Sequence, residues 1–367
     1  MSQRAPAILT VNCGSSSVRL DLFEGPGRIA AERFEGTDVR QALAGFTRGH
    51  AIAAVAHRVV HGGGIDCTVR IDAAVERSIE EAARLAPLHN GPALAGIRAA
   101  RQALGGAAQF AVFDTAFFTR LPPAARTYAL PHELARELGL RRHGFHGLAH
   151  QAMWRRWIGF RPEMAASGRA ITFQLGSGCS TAAIAGGEPL DTSMGFTPLE
   201  GLVMATRAGD LDPGLILHLQ RQARLTPEEV DRVLHHESGL LGMAGESSAG
   251  KLLARGDDAA RLAIEVYCHR ARRYLGAFLA VLGGTDALIF GGGVGEHVPE
   301  IRARICAGME WANIRLDPAA NASPGTDGCI GASDSGVDLR VVAVDEGALL
   351  AEEARRAMAI TPDRESP

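Results

Sequence analysis

Ile8-Leu9-Thr10-Val11, Asn12-Cys13-Gly14-Ser15-Ser16-Ser17, Val18-Arg19-Leu20-Asp21-Leu22: an apolar run, a turn of small polar residues, then an alternating run. The outer segments read as strands and the middle one as the turn joining them. A second passage has the same form: Ile171-Thr172-Phe173-Gln174-Leu175, then Gly176-Ser177-Gly178-Cys179-Ser180, then Thr181-Ala182-Ala183-Ile184. Each opens about half of the chain, which suggests a duplicated domain. Chance repetition is the rival reading, because Gly-Ser turns between strands are common.

Working outward, helical patterns over 73–85, 93–104 and 132–138 alternate with short apolar runs over 52–56 and 110–113. The second half repeats this, with helices expected near 214–221, 227–235 and 258–282. A strand over 287–290, a glycine loop and a helix from about 298 follow, then a strand over 339–344 and a last helix over 347–359. The alternation is that of an α/β protein. The polar tail 361–367 is expected to fray.

At 367 residues the chain is long enough for two packed lobes. Its 46% hydrophobic and 22% charged residues suit an ordinary soluble protein, and a net charge of −3 gives no reason to expect nucleic acid or an anionic membrane as partner. The start lacks an apolar leader, and no segment reaches the ~18 apolar residues of a membrane span. Six scattered cysteines without a CxxC pair suit a reducing cytoplasm, and argue against a disulfide framework or a zinc ribbon. Of 38 basic residues, Lys251 is the only lysine.

Several segments gather groups that could carry chemistry. The turn 12–17 offers hydroxyls and unencumbered N–H groups for phosphate oxygens or metal-bound water; it also suits a hairpin needing only Gly14. The turn 176–180 carries the same two readings. His57-Arg58-Val59-Val60-His61-Gly62-Gly63 closes an apolar run in a polar cluster, as strands do at the ligand-facing edge of an α/β sheet. An arginine there can clamp an anion with its planar fork, or serve as a surface ion-pair partner. His146 and His150 have the helical spacing that puts two imidazoles on one face, but no Glu stands between them as in zinc proteases. Gly245-Glu246-Ser247-Ser248-Ala249-Gly250-Lys251 approaches a P-loop, yet Leu252 stands where the Mg²⁺-binding hydroxyl belongs and no clear strand precedes it. Phe290-Gly291-Gly292-Gly293-Val294-Gly295-Glu296-His297 joins a strand to a helix through four glycines, so a ligand could approach the backbone.

The run Asp191-Thr192-Ser193-Met194-Gly195-Phe196-Thr197-Pro198-Leu199-Glu200-Gly201, followed by Ala205-Thr206-Arg207, resembles the signature of the acetate kinase family. The His57 to Gly63 segment, Ala86-Pro87-Leu88-His89-Asn90, Phe113-Asp114-Thr115-Ala116-Phe117 and Gly144-Phe145-His146-Gly147 match it in family order. The resemblance extends from Asn12 to Glu346 and rests chiefly on the long run; the glycine loops support it.

The resemblance implies an α/β fold: the two-lobed duplicated domain of acetate and sugar kinases, Hsp70 and actin (ribonuclease H-like), with nucleotide in the interlobe cleft. The lobes are expected over 1–146, completed by the C-terminal helix 347–360, and over 147–346, which carries the nucleotide-side loops. It implies a cytoplasmic homodimer that moves a phosphoryl group reversibly between ATP and acetate, giving acetyl phosphate and ADP. Asn12 and Glu346 would hold Mg²⁺. Arg58 would bind the carboxylate, with Val60, Leu88, His89, Phe145 and Pro198 around it, and Asp114, His146 and Arg207 would complete the catalytic group. On the donor side it implies Arg19, Gln174, Leu175, Gly176, Ser177, Gly178, Lys251, Gly293, Val294, Gly295, Glu296 and His297. The chemistry needs such residues, because a carboxylate attacking a γ-phosphoryl brings negative charge toward negative charge. No general base is required, since the acid is already ionised near neutral pH.

The departures from the family pattern cluster on the donor side. Gln174 and Ser177 replace a usual His and Asn, and Ala249-Gly250-Lys251 replaces an acidic–apolar–Arg triplet at the adenosine. His297 replaces an Asn, Arg19 a Lys, and the chain is shortened between Phe23 and Ala51. Pyrophosphate or another nucleotide as donor, propionate as acceptor, and a non-catalytic binding protein of the same fold are the alternatives.

Overall fold

The first hairpin forms where the alternation places it. Strands β1 (Ala7–Cys13) and β2 (Ser17–Glu24) pair antiparallel, with Leu9 opposite Leu22 and Val11 opposite Leu20, all four buried. The computed structural model describes residues 7–14, 17–36, 38–84, 87–325 and 328–360, with 87–89 as backbone alone. Ser15, Ser16 and the expected tail 361–367 therefore lie outside the described residues.

Two compact units divide the chain: Met1–Thr119 with Asp345–Pro367, and Arg120–Val344. The expected boundary at 146/147 falls inside the second unit. In the first, β3 (Gly27–Glu35) continues the meander beside β2. β4 (Ile52–Val59) lies parallel to β1 on its other side, and β6 (Ala108–Phe113) parallel to β4. The short β5 (Val69–Arg70) closes the edge, for a sheet order β3-β2-β1-β4-β6-β5. Leu9, Val11, Leu20, Leu22, Leu43 and Val55 form one core cluster; Val59, Ile79, Leu94, Ile97 and Phe113 form another. The last helix, Glu346–Ile360, packs on β1 and β4.

The second unit repeats the plan. β7 (Arg169–Leu175), β8 (Cys179–Ala185) and β9 (Glu188–Thr192) form an antiparallel meander. β10 (Ala287–Gly291) lies parallel to β7, and β11 (Asp338–Val341) parallel to β10. Its order β9-β8-β7-β10-β11 matches β3-β2-β1-β4-β6 strand for strand, so the two hairpins mark a repeated topology rather than a coincidence.

Several expected boundaries move. The helix expected over 93–104 runs Pro87–Ala103 and passes through Pro92. Its early start is secured by buried Asn90, whose amide donates to the carbonyls of His61 and Ile79. The helix expected over 73–85 ends at Ala82. The glycine loop is not open chain: Gly292–His297 is a short helix, followed by Pro299–Cys306. Helix Asp258–Leu282 matches expectation, bounded by the Asp257 side chain accepting from the Ala260 N–H and by Gly283 at φ +66°.

Candidate active site

Parallel pairing brings the carboxyl ends of β1, β4 and β6 side by side, the edge where open α/β sheets bind ligands. Asn12, Arg58 and Asp114 stand there. Arg58 makes a two-pronged contact with Asp114, Nη2 to Oδ2 at 2.6 Å and Nε to Oδ1 at 3.3 Å. Its Nη1 lies 3.4 Å from Glu346 Oε2, which also accepts from Asn12 Nδ2 at 3.1 Å. Thus four residues far apart in sequence converge within the first unit. Burial draws the Arg58 pKa down, but the Asp114 and Glu346 carboxylates outweigh it and hold the guanidinium above its ordinary range. Burial lifts the Asp114 carboxyl, against the opposing pull of Arg58.

Neighbouring motif residues fix the chain after β4. Asn90 Oδ1 accepts from the His61 N–H, and Thr115 Oγ1 from the Gly62 N–H. A Cβ on Gly62 would sit 2.7 Å from the Phe113 ring, so only glycine lets this turn close against β6. Val60, partly buried, belongs to that turn; the side chains of Leu88 and His89 lie outside the described residues. His57 is structural: its Nε2 meets Gln109 Oε1 at 2.7 Å, and burial pushes its pKa down to about 4.

In the second unit, His146 precedes helix Gly147–Phe160 at φ +58°. Its Nδ1 lies 2.9 Å from Ser180 Oγ, at the start of β8. The helical pair His146 and His150 converges on that hydroxyl, with His150 Nε2 at 2.8 Å. Arg207 reaches the same turn: a Cβ added to Gly178 would lie 3.3 Å from His146 Cε1, 3.4 Å from its Nε2 and 3.5 Å from Arg207 Nη1. Arg207 has no carboxylate partner among the described residues; its Nη1 contacts only the Pro198 carbonyl at 3.4 Å and Met204 Sδ at 3.8 Å. Burial draws its pKa down, with partial compensation from Cys179. A part-buried guanidinium and an imidazole, both close to Gly178, have the chemistry to receive an anion.

The other expected donor-side residues divide. Leu175 is buried, Gly176 caps the turn through a bond from its N–H to the Gly178 carbonyl, and Ser177 is exposed. Gln174 Oε1 is buried without a hydrogen-bond partner among the described residues, so an acceptor stands ready at this turn. Glu296 serves the backbone instead, accepting from the N–H groups of Gly292 and Val344. Gly293 and His297 are exposed, Val294 is partly so, and Gly295 is buried. Lys251 does not lie in a loop: it occupies the first turn of helix Ala249–Arg255, with Nζ 3.4 Å from Glu246 and the side chain 75% exposed. No strand precedes this segment; a helix, Gly239–Ala244, does, so the P-loop geometry is absent. Arg19, in the first unit, forks onto Asp21.

Sequence reading missed the frame around Glu200. Arg142 Nη2 meets Glu200 Oε1 at 2.6 Å, and the Tyr128 hydroxyl bonds Glu200 Oε2 while accepting from the Phe196 N–H at 2.9 Å. Arg142 also donates to carbonyls of Thr192 and Met194. A Cβ on Gly195 would collide with Glu200, which explains that glycine. The frame holds the chain leading to Pro198 and Arg207. Phe145 is almost fully buried beside it in sequence.

The chain matches the acetokinase family over residues 40–352. It is 46% identical to the acetate kinase of Solibacter usitatus (strain Ellin6076), over 83% of this chain and 76% of that protein. Among solved structures it resembles the acetate kinase of Porphyromonas gingivalis, with a TM-score of 0.91 at 33% identity over 96% of this chain and 100% of that one. It also resembles a propionate kinase from Francisella tularensis subsp. tularensis SCHU S4, with a TM-score of 0.89 at 32% identity over 95% and 98%. The repeated mixed sheets are thus those of the acetate and sugar kinase, Hsp70 and actin fold.

Proposed function

The chain belongs to the acetokinase family, and on that premise we propose that it transfers a phosphoryl group reversibly between ATP and acetate, giving acetyl phosphate and ADP. The observation that carries this reading is Arg207, a part-buried cation without a carboxylate partner among the described residues, beside His146 at the Gly178 turn. Such a pair suits the oxygens of a transferring phosphoryl group. In the first unit Arg58 engages Asp114 through Nε and Nη2 and Glu346 through Nη1, which aim the fork, and its remaining N–H groups would bind the carboxylate of the acid.

Asn12 and Glu346 offer an amide oxygen and one carboxylate at the same strand edge. That sparse oxygen set fits Mg²⁺, which keeps waters and takes phosphate oxygens rather than an all-protein cage. When bound, the ion would neutralise phosphate charge. Asn12 and Glu346 would hold it; Asp114 orients Arg58, and His146 donates a hydrogen bond to a phosphoryl oxygen.

We read Val60, Leu88, Phe145 and Pro198 as the residues that would meet the alkyl tail, which would favour short acids. One added methylene changes discrimination by only ~1–3 kcal/mol, so propionate should react measurably. A higher kcat/KM for butyrate or a longer acid would overturn this.

The donor side favours a second reading of weakened adenine selectivity. Ala249 is buried and Gly250 carries no side chain, so neither can embrace an adenosine. Among the described residues Lys251 Nζ pairs with Glu246 alone, a surface pair of small worth. Lys251→Ala should raise the donor KM and leave the acetate KM little changed, the mark of lost ground-state binding. An unaffected variant, with wild type strongly preferring ATP over GTP and pyrophosphate, would leave an ordinary ATP-dependent enzyme.

The family relation also points to a cytoplasmic homodimer, in which exposed leucines such as Leu211 and Leu215 would be covered. Among the described residues no helix is long and apolar enough to cross a membrane. Acetate-dependent ADP release from Mg·ATP tests the proposal; no release with acetate or propionate, from any donor, would refute it.

A further inference from the structure

A chain of four polar side chains runs through the second unit and ends at His146. Thr172 Oγ1 lies 2.7 Å from His150 Nδ1, His150 Nε2 lies 2.8 Å from Ser180 Oγ, and Ser180 Oγ lies 2.9 Å from His146 Nδ1. Thr172, His150 and Ser180 are each fully buried. Each hydroxyl has one proton to give and each neutral imidazole one N–H, and among the described residues the Ser180 hydroxyl meets only the two imidazoles, so the direction of one bond sets the next.

Thr172 sets the direction. Its hydroxyl is 3.5 Å from the Ala182 carbonyl but 2.7 Å from His150 Nδ1, and only the second distance is that of a normal hydroxyl hydrogen bond. Thr172 therefore donates to His150 Nδ1. Burial pushes the His150 pKa down to about 3, so this ring is neutral and carries its proton on Nε2. That N–H donates to Ser180 Oγ, and the Ser180 hydroxyl donates to His146 Nδ1. The remaining nitrogen of His146, Nε2, then bears the proton, and it is the one bordering Gly178 beside Arg207.

We propose that Thr172, His150 and Ser180 are positioning residues that hold His146 as the neutral Nε2–H tautomer, a hydrogen-bond donor aimed at the anion site. The arrangement supplies a donor without setting a second cation against Arg207, which would cost like-charge repulsion in a part-buried place. The functional half of the inference rests on the kinase reading; the tautomer itself does not.

The test uses the full chain with ¹⁵N-labelled histidine, reading the ring nitrogens by two-bond proton–nitrogen correlation and assigning His146 by its loss in His146→Gln. At neutral pH the wild type should show His146 protonated on Nε2 alone. Ser180→Ala should leave a mixture of tautomers and lower kcat at least ~10-fold with both KM values little changed, as expected when a transition-state donor is misaimed. Ser180→Thr, which keeps the hydroxyl, should restore both readouts. Thr172→Val, nearly isosteric and at the far end of the chain, should also mix the His146 tautomers, an effect that mere packing would not transmit. His146 found as Nδ1–H or as imidazolium in the wild type, or an unchanged tautomer in both Ser180→Ala and Thr172→Val, would overturn the proposal. A correct tautomer in a chain without kinase activity would instead fault the reaction assigned to it.

Discussion

Arg207→Ala is expected to lower kcat by ~10²-fold or more while leaving the melting temperature unchanged or raised. The rate loss follows from removing one cationic donor from a phosphoryl site, where little other than positioning and charge drives transfer. The stability result follows from its surroundings. Among the described residues Arg207 bonds only the Pro198 carbonyl and Met204 Sδ, and burial already disfavours its charge. Its removal leaves no carboxylate unpaired and relieves a desolvated cation. Steady-state kinetics and thermal denaturation on the same sample check both halves. A near-normal kcat in a folded variant would remove Arg207 from the mechanism.

Arg58→Ala should lose at least as much activity, ~10²-fold, and should also destabilise the fold. Asp114 is 2% exposed and owes its charge chiefly to the Arg58 fork. Removing one member of a buried pair costs ~3–5 kcal/mol. The loss should depend on pH in a defined sense. Burial already holds the Asp114 carboxyl above its ordinary value with Arg58 present, and without that cation it should titrate higher still. The folded variant then binds a proton the unfolded chain has released, so stability is present at acid pH and falls as pH rises through the folded pKa. Asp114→Asn in the same chain should recover stability but not activity. A variant as stable as wild type at pH 8, or rescued in rate by the second change, would contradict this account.

The fold was legible where burial leaves a local pattern. Leu9, Val11, Leu20 and Leu22 enter one core cluster at two-residue spacing, and Ile171, Phe173 and Leu175 are buried at the same spacing. β3 was not legible: Gly27–Glu35 has no buried residue, so its sequence carries no alternation to read. The first turn of helix Pro87–Ala103 is not legible in the sequence, because Asn90 ties it to the carbonyls of His61 and Ile79, which are remote in the chain. Arg58, Asp114, His146 and Arg207 were named from the family resemblance; no local spacing could show that Asn12 meets Glu346, 334 residues away. The Thr172 to His146 chain and the Glu200 frame were missed for the same reason. Their partners sit on separate elements, and each residue alone resembles any polar residue in a strand or turn.

The most direct measurement is the hydroxamate assay on the purified chain with Mg·ATP, acetate and hydroxylamine. Acetyl hydroxamate should form at a rate proportional to enzyme and should vanish when acetate or the donor is omitted. ADP release without any hydroxamate, or no product with ATP, GTP and pyrophosphate alike, would contradict the assignment of a carboxylate kinase.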